Sequence, residues 1–522
     1  MSIAFEHLTP GKTVRAAHEV SGCNNFEMLQ PRTSCGVPVS ALTSPHLHVP
    51  LLLLLSLFLF LYGIHQGDLY RTEGLRAIIG KEMYQSGDWL VPRLYGEPIL
   101  TKPPMFYWAI AGVGSILGEV SVWSARLPAA IAGCFAVLIV YFTLRRYVRN
   151  EVALLAACVL PMSMLWLEKA SSSEIDTMLV MWVLAAWSCF LRVMESADTK
   201  MEWRWWLVTL LCVAGGVLTK WTSFLFFYAM AVPTLLWHRS FWRLFAWPHL
   251  LAATLGVAVV LAWLLPVTLE LGLSNVTAML WKEGAPRVLH SQNASGHLVL
   301  ETLAHPFKVL GIAFPWSLLA IYLAVARPRS LTGDERECLG HKHVFHTLWS
   351  WAIVGTLMMT VFPDHNIRQS FSLVPAWTLL GVLLLVRHYA ANQLPAWIMQ
   401  YPGRSILTVL CLWAMVKIIH VEVLIPARFA KRPDLDAQAQ VMQAFVPAQT
   451  TLYLSRVKDE CLMFHNGQTV RRVPAWSALP LTASFCLLTM EERTAWPEPG
   501  RIVAEQPLRD AQGDPLVLVQ LK

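Results

Sequence analysis

Charge is what this sequence has least of. Only 14% of its 522 residues are Asp, Glu, Lys or Arg, where a soluble domain carries about 25%. The deficit is spread over many long apolar runs, which excludes one large soluble core and indicates a polytopic membrane protein. The ten cysteines form no CxxC and no Cys/His spacing that suggests zinc. No internal repeat is present, which disfavours a transporter built from two related halves. The first apolar run, "VPLLLLLSLFLFLYGI", lacks a small-residue cleavage site and reads as a retained span, not a signal peptide. The net charge of +7 belongs with loops facing anionic lipid and does not point to nucleic acid.

What is present is apolar length and tryptophan. Runs near 50–65, 124–143, 152–169, 175–192, 204–219, 221–237, 248–270, 306–326, 345–362, 371–386 and 404–425 give about eleven candidate spans. The 23 Trp suit many membrane–water boundaries, where indole rings settle. The run Met105–Gly118 is short for a span and suits an interfacial or re-entrant helix. If it does not cross, the basic loops 144–151, 191–204, 238–243, 326–343 and 387–404 share one face with the N-terminal extension 1–49. By the positive-inside rule that face is cytoplasmic. The other face receives 66–123, 168–176, the turn at Lys220, 271–305, 363–369 and the tail 426–522. Nearly all unusual polar residues fall there, as expected of a site at the lipid–water boundary. The tail has strand-length apolar runs at 450–456, 501–507 and 514–522 and reads as a small extracytoplasmic α/β domain. Its Cys461 and Cys486 could pair there. The expected fold is therefore mainly α: a transmembrane domain over 50–425, interfacial helices in the outer loop 66–123, and a C-terminal α/β domain over 426–522.

The stretch Arg71–Trp108, "RTEGLRAIIGKEMYQSGDWLVPRLYGEPILTKPPMFYW", concentrates the charge. Leu75, Ile78, Ile79 and Met83 have amphipathic-helix spacing, with Thr72 as a start and Gly87 as a stop. Glu73 falls in the first turn, where the helix dipole favours a carboxylate; the plainer reading is a solvated surface helix. Lys102 stands directly before Pro103 and Pro104, at the mouth of the next helix. An ammonium there fits a bound phosphate shared with helix N–H groups, or a side chain snorkelling to lipid head groups. Glu174 and Asp176 sit at the outer mouth of another span, as helix-start residues or as groups facing Glu73. His290, His297 and His305 lack metal spacing. The D-x-D at Asp434 and Asp436 reads as a linker turn, and Asn275 and Asn293 open glycosylation-type triplets.

The segment 72–108, followed by "RLPAA" at 126–130, resembles the first periplasmic loop and next span of the aminoarabinose–lipid A transferases. These are bacterial members of the dolichyl-phosphate-mannose protein mannosyltransferase superfamily, of GT-C fold. "SEIDTML", "GGVLTKW", "FPWSLL" and "RQSFSLVPAWTLL" extend the resemblance over roughly 50–390. It implies an inverting transfer of a sugar from a polyprenyl-phosphate donor to a lipid, glycan or protein acceptor, at the outer face of the bacterial inner membrane. No organic cofactor is implied, and a divalent metal is left open. The family's loop opens with Asp-Glu; here those positions are Thr72 and Glu73, so the first acid is missing. The base is then Glu73, with Asp176 second and Asp68 third. Lys102, supported by Arg76 or Arg368, would hold the donor phosphate, and Arg126 and Lys220 would position. The rival readings are a polytopic lipid or solute transporter or flippase, and a membrane scaffold.

Overall fold

The computed structural model describes residues 44–289, 295–326, 342–362, 366–391, 393–395, 400 and 402–522. Most of the extension 1–49, the triplet at Asn293, and His290 lie outside them, as does the side chain of His297.

Among the described residues, seven helices are long and apolar enough to cross a membrane: Val122–Leu144, Ile175–Glu195, Thr199–Thr219, Trp247–Leu271, Lys342–Val361, Ile367–Ala390 and Arg404–Phe429. The bent pair Leu300–Ile312 and Trp316–Ala326 adds one further candidate. Shorter apolar helices occupy Pro45–Leu61, Asn150–Val159 and Ser223–Trp237. Every candidate span of the sequence is thus helical, but two are broken. The run 152–169 divides into Asn150–Val159 and Met164–Lys169 around Pro161, which cannot continue an i to i−4 ladder. The Met162 carbonyl freed there accepts Trp316 Nε1–H at 2.9 Å. The run 306–326 bends by 97° at Pro315. The stretch 271–305, expected as a loop, instead holds helices Leu273–Leu289 and Ser295–Ile312.

The two faces separated by loop charge are the two ends of this bundle. At one end Arg146 pairs with Glu195, Arg243 with Glu202, and His346 Nδ1 lies 2.9 Å from His238 Nε2. At the other end Asp68, Glu73, Glu174, Lys220, Arg368 and His465 come together through the contacts described below.

The outer loop folds as the spacing predicts. Its helix runs Thr72–Ser86 and stops at Gly87, whose φ of 71° is a left-handed cap. A two-residue hairpin follows, β1 (Arg93–Leu94) with β2 (Glu97–Pro98). The short helix Met105–Leu117 then ends at Gly118, φ 84°.

The C-terminal domain holds five strands: β3 (Leu452–Leu454), β4 (Val470–Arg472), β5 (Phe485–Thr489), β6 (Ile502–Arg509) and β7 (Pro515–Leu521). Their order is β4-β3-β5-β7-β6, with β3 parallel to β4 and β5 and the remaining pairs antiparallel. It does not stand apart from the loop. Phe485, Leu487 and Leu518 share one apolar core with Ala77, Ile79 and Met83 of the loop helix. Cys461 and Cys486 are both free and buried. Cys461 joins that shared core, whereas Cys486, next to Phe485 on β5, joins a separate one. Strand alternation puts Cys486 on the opposite sheet face, so the pairing that the sequence left open is not made. Asp434 is the N-cap of helix Leu435–Phe445, accepting from Ala437 N–H at 3.2 Å.

Candidate functional site at one end of the bundle

Arg126, on the span Val122–Leu144, organises the site. Its guanidinium grips Glu73 with two bonds, Nε to Oε1 at 3.0 Å and Nη2 to Oε2 at 3.2 Å. It also donates to the carbonyls of Ile64, Gln66, Gly67 and Asp68 at 2.8–3.2 Å. One buried cation therefore fixes the chain leaving the first helix. Glu73 receives two further donors, Ser173 N–H at 2.7 Å and Tyr70 N–H at 2.9 Å. With four donors on two oxygens and 4% exposure, this carboxylate is a clamp and has no free lone pair aimed at a substrate. Its negative charge is paired with Arg126, which ties the loop to the span.

Glu174 lies beside it. Its Oε1 accepts the Thr72 hydroxyl at 2.7 Å, with Arg368 Nη1 at 3.4 Å and Lys169 Nζ at 3.6 Å. Two residues on, Asp176 receives Lys220 Nζ at 3.0 Å, both groups buried. Arg76 bonds the Thr72 carbonyl at 2.9 Å, its buried Nε has no partner, and its charge, like that of Lys169, acts on Asp176. This end of the bundle therefore carries a buried layer of carboxylates alternating with cations.

A cavity of about 220 Å³ opens on this layer, lined by Asp68, Glu73, Arg126, Glu174, Arg368 and the inner face of the last span. Arg71 stands at its rim in a backbone conformation of φ 53° and ψ −118°. A non-glycine residue held there costs about 1–3 kcal/mol. Arg71, Arg428 and Arg432 surround the Tyr70 ring at 4.5–5.2 Å. Asp68 closes the outer side, accepting His465 Nε2 of the C-terminal domain at 2.8 Å. His465 Nδ1 meets Asp436 at 2.6 Å. Burial alone would lower the His465 pKa, but its bond to Asp68 and the two carboxylate charges raise it.

Of the eight residues given a role from sequence, Asp68, Glu73, Arg126 and Arg368 line the cavity. Asp176, Lys220 and Arg76 form the layer next to it. Lys102 is not among the cavity's lining residues. Its Nζ donates to Thr101 O at 3.1 Å, in a segment whose Leu100 carbonyl accepts Trp221 Nε1–H at 3.4 Å. It stands on the Lys220 side of the acid layer. Lys169 and Lys417 escaped the sequence reading, although a lysine inside the run 404–425 was a visible signal. Among the described residues no group of three or more His, Cys, Asp or Glu is placed to hold a metal ion.

Known proteins resemble the chain at two levels. The family described as dolichyl-phosphate-mannose-protein mannosyltransferase matches residues 101–265. An undecaprenyl phosphate-α-4-amino-4-deoxy-L-arabinose arabinosyl transferase of Pseudomonas savastanoi is 28% identical over 220 residues. That match covers 41% of each chain, so it spans about two-fifths of the relative's length. The protein of the same name from Erwinia tasmaniensis is 30% identical over 200 residues, 36% of this chain and 35% of that one. The fold likeness reaches further. A crystal structure of ArnT from Cupriavidus metallidurans bound to undecaprenyl phosphate covers 93% of this chain and 98% of its own, at 17% identity and TM-score 0.68. Its apo form gives 0.62. Residues 101–265 are thus similar to the dolichyl-phosphate-mannose-protein mannosyltransferase family, and the chain as a whole shares the fold of the ArnT structures.

Proposed function

We propose that this protein is an inverting glycosyltransferase that takes a sugar from a polyprenyl-phosphate donor and passes it to a lipid, glycan or protein acceptor. The reaction runs on the periplasmic side of the bacterial inner membrane. The observation that carries this reading is the cavity itself: a carboxylate, Glu174, set among cations at the lipid–water end of the bundle.

Glu174 takes over the part first given to Glu73. It orients the acceptor hydroxyl and receives its proton. The acceptor oxygen forms the new bond to the anomeric carbon on the face opposite the phosphate. The bond from that carbon to the phosphate oxygen breaks, and the polyprenyl phosphate leaves with the electron pair. Asp176, held by Lys220, faces the donor side. Lys102 is assigned to the donor phosphate there and Arg368 to the charge that develops at the cavity. Glu73 and Arg126 position the loop and take no proton.

The test is transfer in proteoliposomes with undecaprenyl-phosphate-linked sugar. Lys102→Ala should lower transfer at limiting donor by at least about tenfold, the low end for one charge-assisted hydrogen bond. Transport of the lipid with no glycosylated product would refute the enzymatic reading.

A further inference from the structure

The last span, Arg404–Phe429, is the one least covered by the rest of the chain, with 17% of its apolar window buried. On a helix so exposed to lipid, the residues turned inward are the informative ones. They are Lys417, His420 and Val421, spaced three and four apart and hence on one face. Lys417 is 1% exposed. Its Nζ has one hydrogen bond, to Ser171 Oγ at 3.3 Å. Ser171 spends its own proton on the Phe60 carbonyl at 3.0 Å, so it can only accept from the ammonium. Among the described residues no carboxylate lies within ion-pair distance of Lys417. Two of the three N–H directions of a lysine ammonium are left without a partner. The Nδ1 of His420, one turn further on, is buried and unpartnered as well.

The rest of the cavity does not supply the missing charge. Its lining holds six cations (Arg71, Arg126, Lys169, Arg368, Lys417 and Arg428) against four carboxylates, Asp68, Glu73, Glu168 and Glu174. Each carboxylate is already engaged: Asp68 by His465, Glu73 by Arg126, Glu168 by Lys169, and Glu174 by Lys169 and Arg368. Of the six cations, Arg71, Arg428 and Lys417 remain without a carboxylate partner among the described residues, and the buried one is Lys417. A buried ammonium without a counter-charge is costly in an apolar surround unless an anion arrives to share it.

The helix is reshaped at this point. Residues His420–Leu424 form a π-helical turn between Pro402–Ile419 and Ile425–Phe429, a feature often found at functional sites. Val421 of that turn packs where a side chain on Gly63 would stand, 2.3 Å from the ideal Cβ position. The chain leaving the first helix is thereby seated against the last span, with the cavity between them.

We propose that Lys417 is the buried ligand for the phosphate of a membrane lipid, bound between the first helix and the last span. The inference rests on the reading that this cavity handles a lipid substrate. Two sources share the chemistry, the donor's polyprenyl phosphate and a phosphate-bearing acceptor lipid. In either case the lipid-exposed flank of the last span gives the chain a way in, and the ammonium meets the head group.

The experiment uses the full chain in phosphatidylcholine nanodiscs. Melting temperature is followed against undecaprenyl phosphate, phosphatidic acid and inorganic phosphate. Lys417→Met keeps the side-chain length and removes the charge. The inference expects a rise for the wild type with lipid-borne phosphate, and half-saturation at least about tenfold weaker in K417M, the loss of one charge-assisted hydrogen bond. It also expects the ligand-free melting temperature of K417M not to fall, because an uncompensated buried charge has been taken away. Lys417→Gln is read in the same way if K417M does not accumulate. A response to undecaprenyl phosphate alone assigns the site to the donor, and an equal response to phosphatidic acid assigns it to a phosphate-bearing lipid generally. The inference is overturned if K417M responds as the wild type does, if its ligand-free form melts lower, or if inorganic phosphate reproduces the whole shift. Transfer assays keep the two readings separate. Wild-type transfer with an unchanged KM in K417M sinks this inference and leaves the enzymatic one standing. Loss of lipid-phosphate binding in K417M, with no transfer by the wild type, does the reverse.

Discussion

Position 72 is where a single residue says most about this protein. Threonine stands there, and its hydroxyl donates to Glu174 at 2.7 Å, so the carboxylate that this side chain meets comes from another part of the chain. If Glu174 is the acting group, Glu174→Gln should lower transfer at least about a hundredfold, the low end for general-base catalysis. Thr72→Asp in that background should restore part of the rate, because the acid returns within a hydrogen bond of where it was lost. Because Arg368 would also pair with an acid at 72, rescue counts as chemistry only where T72D restores transfer without changing the melting temperature of the Glu174→Gln protein. Glu73 belongs to a different class. Arg126→Met leaves it buried without its counter-ion and should cost about 3–5 kcal/mol of stability, read as a lowered melting temperature in detergent. The sequence made Glu73 and Arg126 legible as important but not as partners. Their contact joins residues 53 positions apart, and neither spacing nor helix periodicity carries that information.

Elements were more legible than contacts. The loop helix was expected from Leu75, Ile78, Ile79 and Met83, and Gly87 ends it. Strands β3, β6 and β7 fall on the expected runs, while β4 and β5 were missed: β4 is three residues long, and β5 sits between polar segments. What periodicity could not show is that the tail docks on the loop helix. Gly74 marks the contact. An added Cβ would stand 2.6 Å from Cys461 N and 2.7 Å from Glu460 C, backbone atoms that cannot swing aside. Gly74→Ala should therefore loosen the docked domain by about 1–3 kcal/mol, seen as faster trypsin cleavage at Arg428–Arg432. Acidity should act on the same contact. The folded pKa of His465 is raised, so its contribution is full below the unfolded value and is lost as pH climbs through the folded one. Burial lifts the Asp459 carboxyl to about 6, so the folded domain favours its protonated form and loses stability from pH ~4 to about 6. Both signs agree: the docked domain should resist protease best in mild acid. His465→Asn should flatten the upper part of that profile and Asp459→Asn the lower.

At the scale of the whole molecule, the argument turns on which segments share an end. Loop charge alone sorted the polar segments into two sets, and the contacts join residues within each set: Asp68 with His465, Thr72 with Arg368, Asp176 with Lys220 at one end, Arg146 with Glu195 and Arg243 with Glu202 at the other. That sorting holds only if Met105–Leu117 stays on one side of the membrane. At 13 residues it rises about 20 Å, well short of the roughly 30 Å hydrocarbon core. Tyr84 of the loop helix donates to the Gly118 carbonyl at 2.7 Å, so both ends of the short helix are tied to the same loop. Single cysteines at Thr101 and Glu119, in a chain with its native cysteines replaced, should therefore both react with a membrane-impermeant maleimide added from the periplasmic side. A cysteine at Arg146 should react only after the membrane is opened. Were Glu119 protected while Thr101 reacts, the short helix would be a span, the basic loops would change sides, and the cation-rich cavity would no longer sit at one lipid–water boundary.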